Sequence, residues 1–173
     1  SAAEILHKSN IPSIYRIHPK PNYQNIKRLE AFSRTRSINI KIKPEGNVKD
    51  FYKLAETALG RKDKNIIHMQ ILQSLNLATY SEKPSEHFAL AYSLYTHFTS
   101  PIRRYPDLMV HRAIKALLRQ SPNSKISLKE VHQDKGKKEN FPYNREDIAG
   151  LAYDSSLKER LAEEATRDAD NTM

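Results

Sequence analysis

The sequence predicts a helix-rich α/β (α+β) fold, and three observations point to it. Six stretches carry apolar residues three and four positions apart, the period of an amphipathic helix. Two short runs, 13–17 and 37–43, alternate apolar and polar residues as half-buried strands do. Proline and glycine fall mostly between these stretches, where they break them apart.

Residues 2–8 have helical spacing but start without a cap. Asn10 and Pro12 then turn the chain into the alternating strand 13–17, and Pro19, Pro21 and Asn22 punctuate the connection after it. Tyr23, Ile26, Leu29 and Phe32 form an apolar stripe at helical spacing, with Ala31 beside it. Ile38, Ile40 and Ile42 alternate with polar residues, which predicts an edge strand over 37–43. Two amphipathic helices, 48–59 and 65–77, are separated at Gly60. Residues 79–85 read as a turn, and 87–97 as a strand or mixed structure. After Pro106, Met109, Val110, Ala113, Ile114 and Leu117 make the buried face of the clearest helix in the chain. Residues 120–144 are polar and Lys-rich, predicting a loop, and 147–170 a long final helix. At 173 residues one domain is the simplest expectation. Neither end carries a start or stop signal, so a fragment of something larger is expected.

Composition bounds the function. The net charge is +9, with 14 Lys and Arg against 6 Asp and Glu in residues 1–80 and 9 against 11 in residues 121–173. A basic first two-thirds favours a polyanionic partner. With no cysteine there is neither a disulfide framework nor a thiolate metal site, which fits a reducing, cytoplasmic setting. No apolar run approaches the roughly 20 residues that span a bilayer, so no membrane partner is expected.

The chemistry concentrates in 95–112, YTHFTSPIRRYPDLMVHR. Thr99 and Ser100 are N-cap candidates, and Pro101 suits the first position of a helix. Pro106 restarts or kinks that helix, and Asp107 favours its positive end. Arg103 and Arg104 therefore lie beside exposed backbone N–H groups, the local chemistry of a phosphate cradle. Tyr92, Tyr95, Phe98 and Tyr105 interleave with the basic residues as stacking platforms for single-stranded RNA would. For Phe88 and Phe98, core packing is the preferred alternative. His97 and His111 bracket the arginines with no third ligand nearby, which favours structural histidines over a metal site.

The run 87–118, HFALAYSLYTHFTSPIRRYPDLMVHRAIKALL, resembles the C-terminal half of the catalytic (RNB) domain of the ribonuclease II/ribonuclease R exoribonucleases. The TSPIRRYPDL core is specific, and Arg104 and Pro106 favour the ribonuclease R branch. Weaker likeness covers 2–18, AAEILHKSNIPSIYRIH, and 163–168, EEATRD, so the resemblance reaches both ends and is dense only in the middle. It implies a processive 3′→5′ exoribonuclease that hydrolyses single-stranded RNA to nucleoside 5′-monophosphates with Mg²⁺ and no small-molecule cofactor. No OB-type cold-shock or S1 domain is expected within the chain.

By that resemblance Arg103 is the arginine placed against the scissile phosphate, where it would stabilise charge developing in the transition state. The alternative is a helix-start arginine paired with Asp107. Arg104 either lines the RNA channel or binds a structural carboxylate, and Thr99, Ser100 and Tyr105 join it as RNA-contact candidates. Asp107, His111, Arg112, Arg167 and Asp168 are expected in supporting roles, with Arg112 pairing Asp107 or the last helix. Two departures stand out: Ala89 replaces a usual glycine, and Thr166 a glutamate of ribonuclease II. The family's Asp-x5-Asp-x-Asp-Asp metal cluster has no counterpart here, since Asp63, Asp107, Asp134 and Asp147 are scattered singly. This chain is therefore expected to bind no metal and to be inactive alone. The rival reading is a non-catalytic RNA-binding or scaffold module that keeps only the basic surface.

Overall fold

The computed structural model describes residues 1–120 and 143–171. In chain order it forms α1 (Ala2–Lys8), β1 (Tyr15–Ile17), α2 (Tyr23–Thr35), α3 (Val48–Ala58), α4 (Lys64–Ser74), β2 (Thr79–Ser81), a 3₁₀ turn (Phe88–Leu90), α5 (Tyr105–Gln120) and α6 (Arg145–Asn171). The expected helix-rich α+β class is what these elements make. They divide into two compact units, one comprising Ser1–Ile17, Thr79–His87 and Tyr92–Met173, the other His18–Ala78 and Phe88–Ala91. The Lys-rich segment expected as a loop falls largely on 121–142, outside the described residues.

In the first unit, α1 is capped after all. Ser1 Oγ accepts the Glu4 N–H while the Glu4 carboxylate reaches back to the Ser1 amino group, a reciprocal cap that needs only a serine three residues before a glutamate. Leu6 on α1 is sealed against Val110 and Ala113 of α5, a burial worth about 1.5–3 kcal/mol for the leucine alone. Residues 79–81 correct a second expectation. Instead of a turn they form β2, antiparallel to β1, with Arg16 facing Tyr80 and Tyr15 facing Ser81. Three residues with one buried side chain are too short for alternation to register. Ile14, Tyr80, Met109, Ile148 and Ala152 close the core where both strands meet α5 and α6. α6 starts two residues earlier than its apolar pattern: Asn144 Oδ1 accepts the Asp147 N–H and Asp147 Oδ2 the Asn144 N–H, at 2.8 and 2.9 Å.

The second unit packs α2, α3 and α4 around Ile26, Leu29, Phe51, Leu54, Ile67 and Phe88. Asn22 and Asn47 cap α2 and α3 through their side-chain oxygens. The edge strand expected over 37–43 is not formed. The segment has no partner strand among the described residues, and its isoleucines pack on the helical core instead, with Ile42 buried and Ile38 and Ile40 half-buried. The backbone finds a side chain in place of a ladder: Glu30, itself buried, accepts the Ile42 N–H through Oε1 at 2.8 Å. Gly46 closes the turn after this segment at φ +68°, a left-handed conformation that glycine enters without strain. Ala89 meets no such demand. Its N–H points at His18 Nδ1 and its carbonyl accepts the Tyr52 hydroxyl, with no positive φ to strain the methyl.

Candidate functional site

The segment from Thr99 to Asp107 is a turn feeding a helix, built differently from its sequence expectation. Residues 101–103 form a turn rather than the first turn of the helix, and α5 begins at Tyr105 with Pro106 in its first turn, where a missing N–H costs nothing. Neither Thr99 nor Ser100 caps through its side chain. The Ser100 carbonyl instead accepts the N–H groups of Arg103 and Arg104 at 3.3 and 3.0 Å, and the Ser100 N–H donates to Asp107 Oδ1 at 2.8 Å. The amides of Ser100, Arg103 and Arg104 are thus hydrogen-bonded within the segment rather than left exposed for a phosphate. What the turn presents outward is side chain.

Asp107 is 0 % exposed, and its Oδ1 also accepts Arg104 Nη2 at 2.8 Å. The carboxylate therefore belongs to Arg104, not to Arg103, and of the two readings open for Arg104 the geometry supports the structural one. Arg103 is exposed and makes no hydrogen bond or ion pair with a described side chain. Arg112 pairs with neither Asp107 nor α6's acids: its Nη1 donates to the Tyr143 hydroxyl at 2.7 Å.

The histidines on either side are both engaged. His111 stacks on Phe98 with ring centroids 4.2 Å apart and planes 3° apart, and its Nε2 donates to the Phe98 carbonyl at 2.7 Å. Phe98 is 39 % exposed, so it is a stacked surface ring and not the core residue expected. Phe88 is the buried one. His97 Nδ1 lies 2.8 Å from the Tyr80 hydroxyl, and Arg16 lies over the Tyr80 ring at 4.5 Å while pairing with Glu159 of α6. Burial first, then the charges of Arg104 and Arg16, holds the His97 pKa below its ordinary 6.5. Tyr92 and Tyr95 stack at 5.7 Å, and Tyr92 and Tyr105 are exposed.

Residues 1–120 match the RNB domain family, a stretch that contains the whole arginine turn. The chain belongs to the RNB domain family. It is 35 % identical over 171 residues to ribonuclease R of Escherichia coli strain K12, covering 97 % of this chain and 20 % of that protein. It therefore spans about a fifth of the length of the curated relatives it matches. Its fold is similar to Mycoplasma genitalium RNase R in complex with ribose-methylated single-stranded RNA, with TM-score 0.80, 22 % identity, and coverage of 99 % of this chain and 25 % of that one. It is also similar to yeast Ssd1, a pseudonuclease, with TM-score 0.56, 26 % identity, and coverage of 72 % of this chain and 16 % of that one.

Within this RNB chain the structure brings Ser100, Arg103, Arg104 and Asp107 together where the turn meets α5. Tyr105 and Arg112 lie on the helix it opens, and the Arg112 pKa is raised by Tyr143 first and then by Tyr105. Arg167 and Asp168 do not join them. They lie on the exposed last turns of α6, where Arg167 lines a shallow groove with Glu163 and Thr166. The sequence reading missed the Arg16–Tyr80–His97 arrangement, because its members are far apart in sequence and meet only through the β1–β2 pairing. Among the described residues no group of three or more His, Asp or Glu is placed to hold a metal. These side chains therefore do not fit the Mg²⁺ site the family resemblance implies. No helix among the described residues is long and apolar enough to cross a membrane.

Proposed function

We infer that this chain is the phosphate-contacting part of a 3′→5′ exoribonuclease acting on single-stranded RNA, with Arg103 as the residue that meets the scissile phosphate. The observation that carries the reading is the state of the arginine turn. Within this turn Arg104 is committed to a buried carboxylate, the amides of Ser100, Arg103 and Arg104 are committed to Asp107 and Ser100, and the Arg103 guanidinium is left unpaired among the described residues. A planar fork fixed by its backbone and free at its tip suits two phosphate oxygens as their charge grows. The ribonuclease R relatives and an RNA-bound structural relative support RNA as the polyanion. Exposed Tyr92 and Tyr105, and Phe98 stacked on His111, offer π-faces for unstacked bases. Cytoplasmic placement and Mg²⁺ dependence of the whole protein belong to the same proposal, with the metal held by residues other than those described here.

The test is Arg103→Ala in the full-length protein that carries this chain. Single-turnover cleavage of 3′-hydroxyl RNA should slow by about 100- to 1000-fold, the usual cost of one lost oxyanion stabiliser, while affinity for RNA changes little. A loss of affinity with the cleavage rate at saturating RNA unchanged would make Arg103 a binding residue only. A second reading, a non-catalytic RNA-binding module, is favoured by the likeness to a pseudonuclease. It is separated from the first by whether the same protein carries an aspartate-rich metal segment outside these residues.

A further inference from the structure

We propose that Asp107 is a positioning residue that aims Arg103, acting through Ser100 and Arg104; this rests on the phosphate-contacting role inferred for Arg103. Two hydrogen bonds end on one carboxylate oxygen, and two more end on the Ser100 carbonyl. Asp107 Oδ1 accepts the Ser100 N–H at 2.8 Å, seven residues back across the turn. The Ser100 carbonyl in turn accepts the Arg103 N–H at 3.3 Å and the Arg104 N–H at 3.0 Å. The same Oδ1 accepts Arg104 Nη2 at 2.8 Å. The backbone at Arg103 is therefore fixed at its amide and, one residue on, through both the amide and the side chain of Arg104.

The charge arithmetic points the same way. Two adjacent arginines would repel each other and compete for one phosphate, but Asp107 neutralises Arg104 and holds it inward. One guanidinium stays uncommitted. Asp107 is also a costly way to cap a helix: a carboxylate at an exposed helix start gains from the N-terminal dipole without losing water, whereas this one is fully buried. Both its donors converge on Oδ1, while Oδ2 and Arg104 Nε are buried with no hydrogen-bond partner among the described residues. A pair arranged for stability alone would engage both arms of the guanidinium. Here the geometry serves the turn, and through it the aim of Arg103.

The experiment is a double-mutant cycle in the full-length protein, reading single-turnover cleavage of single-stranded RNA and its dissociation constant for Arg103→Ala, Asp107→Asn and the double variant. Asp107→Asn should cleave on the order of a hundredfold more slowly, the scale of a misplaced catalytic group, with affinity within about twofold. The double variant should be no slower than Arg103→Ala, because a residue that works only through Arg103 has nothing left to position. Losses that multiply, or parental cleavage by Asp107→Asn beside a slow Arg103→Ala, overturn the proposal and leave the role of Arg103 standing. Parental cleavage by Arg103→Ala overturns that role and the proposal with it. If Asp107→Asn does not fold, Arg104→Gln, which keeps the Ser100–Asp107 contact, takes its place in the cycle. If neither folds, the pair belongs to the core and the proposal is overturned.

Discussion

Arg103 and Arg104 are adjacent and chemically identical, yet burial and one carboxylate give them opposite fates. Arg103→Lys separates charge from shape: an ammonium restores attraction to phosphate but cannot offer two fixed donors. We expect it to recover only part of the cleavage lost in Arg103→Ala; full recovery would mean that point charge alone is required. His97 makes a second prediction at this scale. In the folded chain its pKa lies below 6.5, whereas in the unfolded chain it takes its ordinary value. Between those two values the unfolded state binds the proton and the folded state does not. Stability is therefore full above 6.5 and falls as pH drops from there toward the folded pKa. His97→Gln should flatten thermal stability across that mildly acidic window, and an unchanged pH slope would remove His97 as its cause.

Among the elements, the segment 37–43 after α2 shows how an alternating sequence can fail to make a strand. Its isoleucines serve the helical core, and the buried Ile42 N–H is satisfied by Glu30, which also accepts Lys27 Nζ at 2.9 Å. Burial pushes the Glu30 carboxyl up, but Lys27 and the Ile42 N–H outweigh it and leave the pKa below 4.5. The carboxylate is thus the form the fold holds, and its contribution fades as pH falls through the lowered pKa. Glu30→Ala strands a buried N–H and should cost about 1–3 kcal/mol in denaturant unfolding, with Glu30→Gln keeping an acceptor and losing less. Equal losses for the two variants would show that charge, not the contact to Ile42, is what matters.

For the whole molecule, net charge and the lack of a carboxylate cluster among the described residues each carry a prediction. Residues 1–120 hold 20 Lys and Arg against 9 Asp and Glu, so the chain should bind single-stranded RNA with strong salt dependence, each neutralised phosphate adding about 0.7 to the log–log slope. A flat salt response would reduce the charge to a solvated surface. Lacking a described carboxylate cluster, the isolated chain should release no nucleoside monophosphates from 3′-hydroxyl RNA with Mg²⁺. Steady release from pure chain would place a metal site where none is expected.

The sequence by itself determined the helices, the family and the candidate arginine. Helical periodicity is local, and the TSPIRRYPDL run is contiguous, so both can be read along the chain. Even the cap of α1 lay in plain view as Ser1 and Glu4. What only the tertiary structure decided is which groups are left free. That 79–81 pairs with β1, that 37–43 joins no strand among the described residues, and that Asp107 takes Arg104 rather than Arg103 all depend on burial and on partners brought in from elsewhere. A guanidinium's availability to a phosphate is set by which carboxylate reaches it first. In this chain that contest is settled by a buried oxygen at the start of α5, whose depth no local pattern encodes.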